Sequence, residues 1–234
     1  MDLNSNNIEK LFFDTVLNYS YLLPLIFLLI FFRKTRLSAF VWIFASYFLL
    51  YFLMNFFYRD IKHEIGKKPY YFLYTFIEFL VFAYLFWKFI ANKKFKLLII
   101  ICSIAFITFL IIFFSTLHSI RTIDTVPIGV ETLLMFVFIF YYFYQYFRHT
   151  NTSILSDYSF WIITGILVYL GSTFFFNILA DSIAEAEFEK YWYLTYIGDI
   201  MKNILCAVAI IVYIKHPDTP KDQKQASIPY LDMI

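Results

Sequence analysis

Polar and apolar residues are not interleaved along this chain; they come in blocks. Long apolar runs occupy roughly residues 12–32, 37–58, 70–90, 96–117, 128–147, 159–180 and 191–214, separated by short connections that carry most of the charge. A helix that crosses the hydrocarbon core of a bilayer needs about 20 predominantly apolar residues, so each run has the length of one span. Nothing alternates with period two, and lipid offers no partner to unpaired backbone groups. The pattern therefore predicts an all-α fold, a polytopic bundle of seven transmembrane helices rather than a barrel. The bundle takes residues 1–214. Residues 215–234, with Pro217, Pro220, Lys221, Asp222, Lys224 and Gln225, read as a disordered tail. The first run is the least regular, because it contains Asp14, Asn18, Ser20 and Pro24 and is largely apolar only from Tyr21 to Phe32. Its leader, Met1-Asp2-Leu3-Asn4, lacks the basic start of a signal peptide, so an uncleaved helix is expected.

Composition sharpens this picture. The chain has 234 residues, of which 62 % are hydrophobic, 24 % aromatic and only 15 % charged, with a mean hydropathy of +0.70. A soluble domain is about a quarter charged, and one core of this size cannot hide so much apolar surface. The expected solvent is lipid, which excludes a secreted disulfide module, a cytosolic enzyme and a nucleic-acid binder. A net charge of +2 points to no polyanionic partner. Cys102 and Cys206 both lie inside apolar runs and read as small buried hydrophobes.

Lys and Arg near the span ends set the expected orientation. One side collects eleven of them, including Arg33, Lys34, Arg36, Lys93, Lys94, Lys96 and Arg148; the other collects seven. The bias places the N-terminus outside and the C-terminus in the cytoplasm. The 59–68 loop, with Arg59, Lys62, Lys67 and Lys68, runs against it.

Charged groups within spans are expensive and mark functional candidates. Glu78 shares a helical face with Tyr71, Tyr74 and Thr75 in the third span. Asp199, Lys202, Asn203 and Cys206 cluster in the seventh, extended outward by Thr195. Glu131 lies near the start of the fifth span. Asn177 and Asp181 close the sixth, below Tyr169, Ser172 and Thr173, and Tyr47, Tyr51, Asn55 and Arg59 line one face of the second. In the predicted orientation Glu78 and Asp199 lie about 12 Å below the outer boundary and Lys202 about 17 Å, near the midplane. Polarity is therefore lopsided, and a cavity open to the outside and floored by Lys202 would use these groups. The plainer alternative is an intramembrane ion pair that fixes helix register, with Asn and Ser as interhelical glue. Trp42, Trp87, Trp161 and Trp192 lie near span ends and read as an interfacial belt.

Several chemistries lack their residues. His63, His118, His149 and His216 all fall in loops or the tail, so neither a membrane zinc hydrolase nor a Ser–His hydrolase is supported. No cofactor is expected. The seventh-span lysine resembles that of microbial rhodopsins, with Glu78 in the place of a counter-ion. The chain departs from those proteins at Gly198, where they carry an acid four residues before the lysine, and in lacking an aromatic-proline box in the sixth span.

A second resemblance rests on Asp157-Tyr158-Ser159-Phe160-Trp161-Ile162-Ile163-Thr164-Gly165-Ile166-Leu167-Val168-Tyr169, on Lys202-Asn203-Ile204-Leu205 and on Tyr74-Thr75-Phe76-Ile77-Glu78. These segments resemble an uncharacterised group of seven-span integral membrane proteins of Bacteroidota, similar to the membrane sensor regions that precede histidine kinases. The resemblance implies a small inner-membrane protein. No output domain follows Ile214, so signalling would require a separate partner. The combined expectation is a sensor or receptor that binds a small or lipid-like ligand in an outward-facing cavity. Glu78, Asp199, Lys202 and Asn203 would line that cavity, with Glu131, Asn177 and Asn55 at its mouth. A small transporter or a membrane-embedded enzyme acting on a lipid-like substrate is the alternative, without the repeated halves and interrupted helices that transport by inverted repeats requires.

Overall fold

The computed structural model describes Phe12 and residues 15–31, 39–57, 67–116, 125–149, 154–180 and 193–215. Among these residues every regular element is helical and none is a strand. The helices are α1 (Leu22–Ile30), α2 (Ala39–Phe56), α3 (Lys67–Phe89), α4 (Lys93–Thr116), α5 (Thr125–His149), α6 (Tyr158–Ala180) and α7 (Tyr193–Lys215). Each lies largely within one of the apolar runs. Four segments are long and apolar enough to cross a membrane: Pro69–Phe89, Lys93–Thr116, Val126–Arg148 and Thr195–Lys215. Thr15–Ile30, Phe40–Phe56 and Tyr158–Phe174 are shorter apolar helices.

Local sequence sets the ends and the one break. Residues 15–20 are helical and lead through a turn residue, Tyr21, into α1. Pro24 has no N–H to give the carbonyl of Ser20 and its ring crowds that carbonyl, so the helix loosens there. Asp157 caps α6, its Oδ1 accepting from the Ser159 backbone N–H at 2.9 Å. Asn92 does the same for α4, accepting from the Lys94 N–H at 2.9 Å. The Asn92 side chain also donates to the Tyr141 hydroxyl at 2.7 Å. Phe95 stacks flat on Tyr141 at 3.6 Å between centroids, which fastens the α3–α4 connection to α5.

The helices form a ring in the order α1, α2, α3, α5, α6, α7, with α7 closing back onto α1 and α4 lying outside against α3 and α5. The position of α4 follows from its surface. Leu97, Ile100, Ile101, Ile104, Ile111 and Ile112 are exposed, and only 17 % of its apolar window is buried against 50 % for α7. An apolar exposed face suits contact with lipid chains. Inside the ring the core is mainly aromatic, with Phe44, Phe48, Tyr51, Phe79, Phe82, Phe86 and Phe138 at 2 % exposure or less. Trp42 and Trp87 face outward at 56 % and 41 % exposure, in keeping with an interfacial role.

Candidate functional site

The closest packing in the bundle is between α6 and α7, and it depends on two glycines. A Cβ at Gly198 would overlap Ser172 Oγ, and one at Gly165 would come within 3.3 Å of Leu205 Cβ and of the Lys202 carbonyl oxygen. Small residues let helix backbones approach in this way. The approach sets Lys202, near the middle of α7, against α6, with its Nζ 3.9 Å above the centre of the Tyr169 ring.

Lys202 is 1 % exposed. Its ammonium bonds Asp199 Oδ1 at 2.8 Å and donates to the Tyr47 hydroxyl at 3.1 Å, while Glu78 Oε1 stands 3.9 Å away. The rings of Tyr21, Tyr47, Tyr51 and Phe82 surround it at 5.7–5.9 Å. Each carboxylate has its own tyrosine donor. Tyr21 donates to Asp199 Oδ1 at 3.0 Å and Tyr169 to Glu78 Oε2 at 3.1 Å. Side chains from α2, α3, α6 and α7, together with Tyr21 at the head of α1, thus converge on one ammonium group.

This arrangement answers a physical requirement. Removing an ion from water costs several kcal/mol even after relaxation, and only close counter-charges with further hydrogen bonds offset that cost. Cation–π attraction adds to the balance where the ammonium is desolvated. Two carboxylates, one hydroxyl acceptor and a set of ring faces provide both at Lys202.

Asn203, 0 % exposed, turns toward the chain ahead of α1. Its Nδ2 donates to Ser20 Oγ at 2.7 Å, and Ser20 in turn donates to the Leu17 carbonyl at 2.7 Å. Glu131 on α5 is 2 % exposed and lies within electrostatic reach of Glu78 and Lys202. Around the cluster three buried oxygens lack a hydrogen-bond partner: Glu78 Oε1, Glu131 Oε1 and Asn203 Oδ1. All three are acceptors.

The structure thus brings Glu78, Asp199 and Lys202 together, with Glu131 and Asn203 buried nearby. Asn55 is not drawn in; its Nδ2 donates to the Tyr51 carbonyl of its own helix at 2.9 Å. Asn177 lies in α6, but its side chain is outside the described residues, as are Asp181, Arg59 and Trp192. A small apolar cavity lies elsewhere in the bundle, lined by Leu28, Phe40, Phe44, Tyr158, Ile162 and Tyr213. Among the described residues no group of three or more His, Cys, Asp or Glu side chains is placed to hold a metal ion. The sequence reading gave no role to the hydroxyls of Tyr21, Tyr47 and Tyr169. The i, i+4 spacing of Tyr47 and Tyr51 and the place of Tyr169 above Ser172 and Thr173 were the available signals; Tyr21, at the break before Pro24, had none.

No protein-family model matches the chain, nor does any curated protein or solved structure.

Proposed function

We propose that all seven helices cross the membrane, with the N-terminus outside and the C-terminus in the cytoplasm. We propose further that the protein is a receptor whose ligand, small or lipid-like, acts on the buried Lys202 cluster. The carrying observation is Lys202 itself: an ammonium in mid-helix, 1 % exposed, in contact with groups from three other helices. Ionisable residues at such depth are functional by default. A ligand that competes for Glu78, Asp199 or Lys202 would loosen α7 from α2 and α3 together. That supports a receptor, because occupancy would become a change in helix packing that a separate signalling partner in the membrane reads. The span assignment is supported by α6, whose 23 residues reach about 34 Å, more than the ~30 Å hydrocarbon core.

Native mass spectrometry of the wild type and Glu78→Gln in nanodiscs, with thermal unfolding of both, tests the receptor reading. The expected result is a discrete adduct of one mass on the wild type, absent from a Glu78→Gln protein that still unfolds cooperatively. Bare protein in both samples overturns it. A second reading, that the cluster is a structural tie, is favoured by the completeness of the Lys202 contacts. Bare protein together with a steep loss of stability in the variant selects that reading.

A further inference from the structure

Two carboxyl groups stand beside one ammonium in this cluster and a third, Glu131, is buried within their electrostatic reach; they are not equivalent. Asp199 has Lys202 at 2.8 Å and a donor in Tyr21. Glu78 has Lys202 at 3.9 Å and a donor in Tyr169. Glu131 is as deeply buried as either, yet its Oε1 has no hydrogen-bond partner and no cation stands within ion-pair distance of it among the described residues.

We infer that Glu131 holds an exchangeable proton, so that the Glu131–Glu78 side of the cluster is a proton-binding site. This rests on the reading of the cluster as a functional site and names what that site binds. A carboxylate buried without a partner is too costly to remain charged, and it takes up a proton instead. The groups facing Glu131 reinforce this. Glu78 on α3 is a like charge. Lys202 on α7 is already committed to Asp199 and Tyr47, and Tyr169 on α6 gives its hydroxyl to Glu78. The remaining neighbour, α4, carries no charged side chain from Leu97 to Thr116. Two further features select a proton over a metal cation. A proton needs no cavity, whereas a hard cation collects about six oxygen ligands, and the orphan oxygens on this side are those of Glu78 and Glu131. Glu131 is also only about 9 Å along α5 from its first residue.

The proton ties the site to its surroundings. When Glu131 loses it, a third negative charge appears beside Glu78 and draws on the same ammonium that holds α7 to α2 and α3. Proton release would then strain the Lys202 contacts, and a cationic ligand group would take the proton's place more readily than an anionic one.

Infrared spectroscopy of the lipid-reconstituted protein, with the glutamate carboxyls carbon-13 labelled, tests the inference. The expected wild-type spectrum at neutral pH contains a protonated-carboxyl C=O stretch that shifts with the label and disappears reversibly as pH rises. Glu131→Gln should abolish the band. Glu131→Asp, which keeps a carboxyl, should remove it from the glutamate-labelled set, so an unstable Gln variant does not block the result. A wild-type spectrum without the band, or a band unchanged in both variants, overturns the inference. So does thermal stability that rises with sodium over choline chloride in a wild type lacking the band, which would assign a metal cation instead. The readout is independent of any adduct. A band without an adduct retains the proton site and removes the receptor reading, and an adduct without a band does the reverse.

Discussion

Two lysines of this protein lie over aromatic rings at nearly the same height, Lys88 Nζ at 3.8 Å from the centre of Phe40 and Lys202 Nζ at 3.9 Å from that of Tyr169. Their settings differ in burial and in position along the helix. Lys88 is half-buried in the last turn of α3, with Phe89 and Tyr158 as further ring neighbours at 5.8 and 5.9 Å. There the helix C-terminus favours a positive charge, and the half-buried side chain keeps part of its surface exposed. Lys202 has no such outlet at 1 % exposure. The ring contact is common to both; at Lys202, where water is excluded, it comes with two buried carboxylates, Asp199 and Glu78. A cation over an aromatic face is thus ordinary packing at the end of a helix and requires a built environment in its middle.

The sharpest way to break this comparison is to remove each ammonium while keeping the stem. Lys202→Met leaves buried carboxylates without their cation, and breaking a buried pair in this way costs about 3–5 kcal/mol. Lys88→Met removes a half-exposed ammonium, where ring and ionic contacts alike are worth at most about 1 kcal/mol each. Thermal unfolding of both variants in the same detergent should show a large drop for the first and a small one for the second. Equal drops would mean that burial depth does not separate the two sites.

The second test asks whether the hydroxyls around Lys202 matter beyond their rings. Tyr169→Phe keeps the face above which the ammonium sits and deletes the donor to Glu78 Oε2, which should cost about 1–3 kcal/mol for an acceptor left unsatisfied. Tyr146 provides the control. It is 6 % exposed and its hydroxyl has no hydrogen-bond partner, so Tyr146→Phe should stay within about 0.5 kcal/mol of wild type in the same assay. A penalty for Tyr169→Phe no larger than the control's would reduce the cluster to an ion pair among rings.

How much of this was legible in the sequence depends on which physical scale wrote it. The helices were, because long apolar runs without period-two alternation read as helix; the run at 191–214 and the helix Tyr193–Lys215 differ by a residue or two at each end. The irregularity of the first run was legible in Pro24 and the polar residues before it, though the turn at Tyr21 was not expected. Glu78, Asp199 and Lys202 stood out because a charge is conspicuous in an apolar run. That they could meet was expected from their common depth; which atoms bond each other was not legible, since that depends on how each helix is rotated about its axis, and the low amphipathicity of uniformly apolar helices leaves rotation poorly marked. Asn55 shows the limit of face counting. It shares a face with Tyr47 and Tyr51, but its short amide reaches the carbonyl one turn back. The tyrosine donors were hidden in a composition with 20 Tyr, most of them without a distinguishing neighbour.

The smallest effects separate the close α6–α7 contact, on which the position of Lys202 depends, from a part of the same helix pair that has room. At Gly198 an added methyl meets Ser172, whereas at Gly171 it meets nothing within 4 Å. Gly198→Ala should therefore push the helices apart, at a cost of about 1–3 kcal/mol for overpacking. Gly171→Ala should gain about 0.4–1 kcal/mol by reducing the freedom of the unfolded chain without strain in the folded one. The side chain in the way is a serine that rotates, so the Gly198→Ala loss should fall when Ser172→Ala is added. That recovery distinguishes a local overlap from a general intolerance of α7. If the penalty at Gly198 persists in the double variant, the Cβ at position 172, which stays in place at 3.0 Å from the added atom, sets the spacing. The height of Lys202 over its ring would then be fixed by the helices and not by the ion pair.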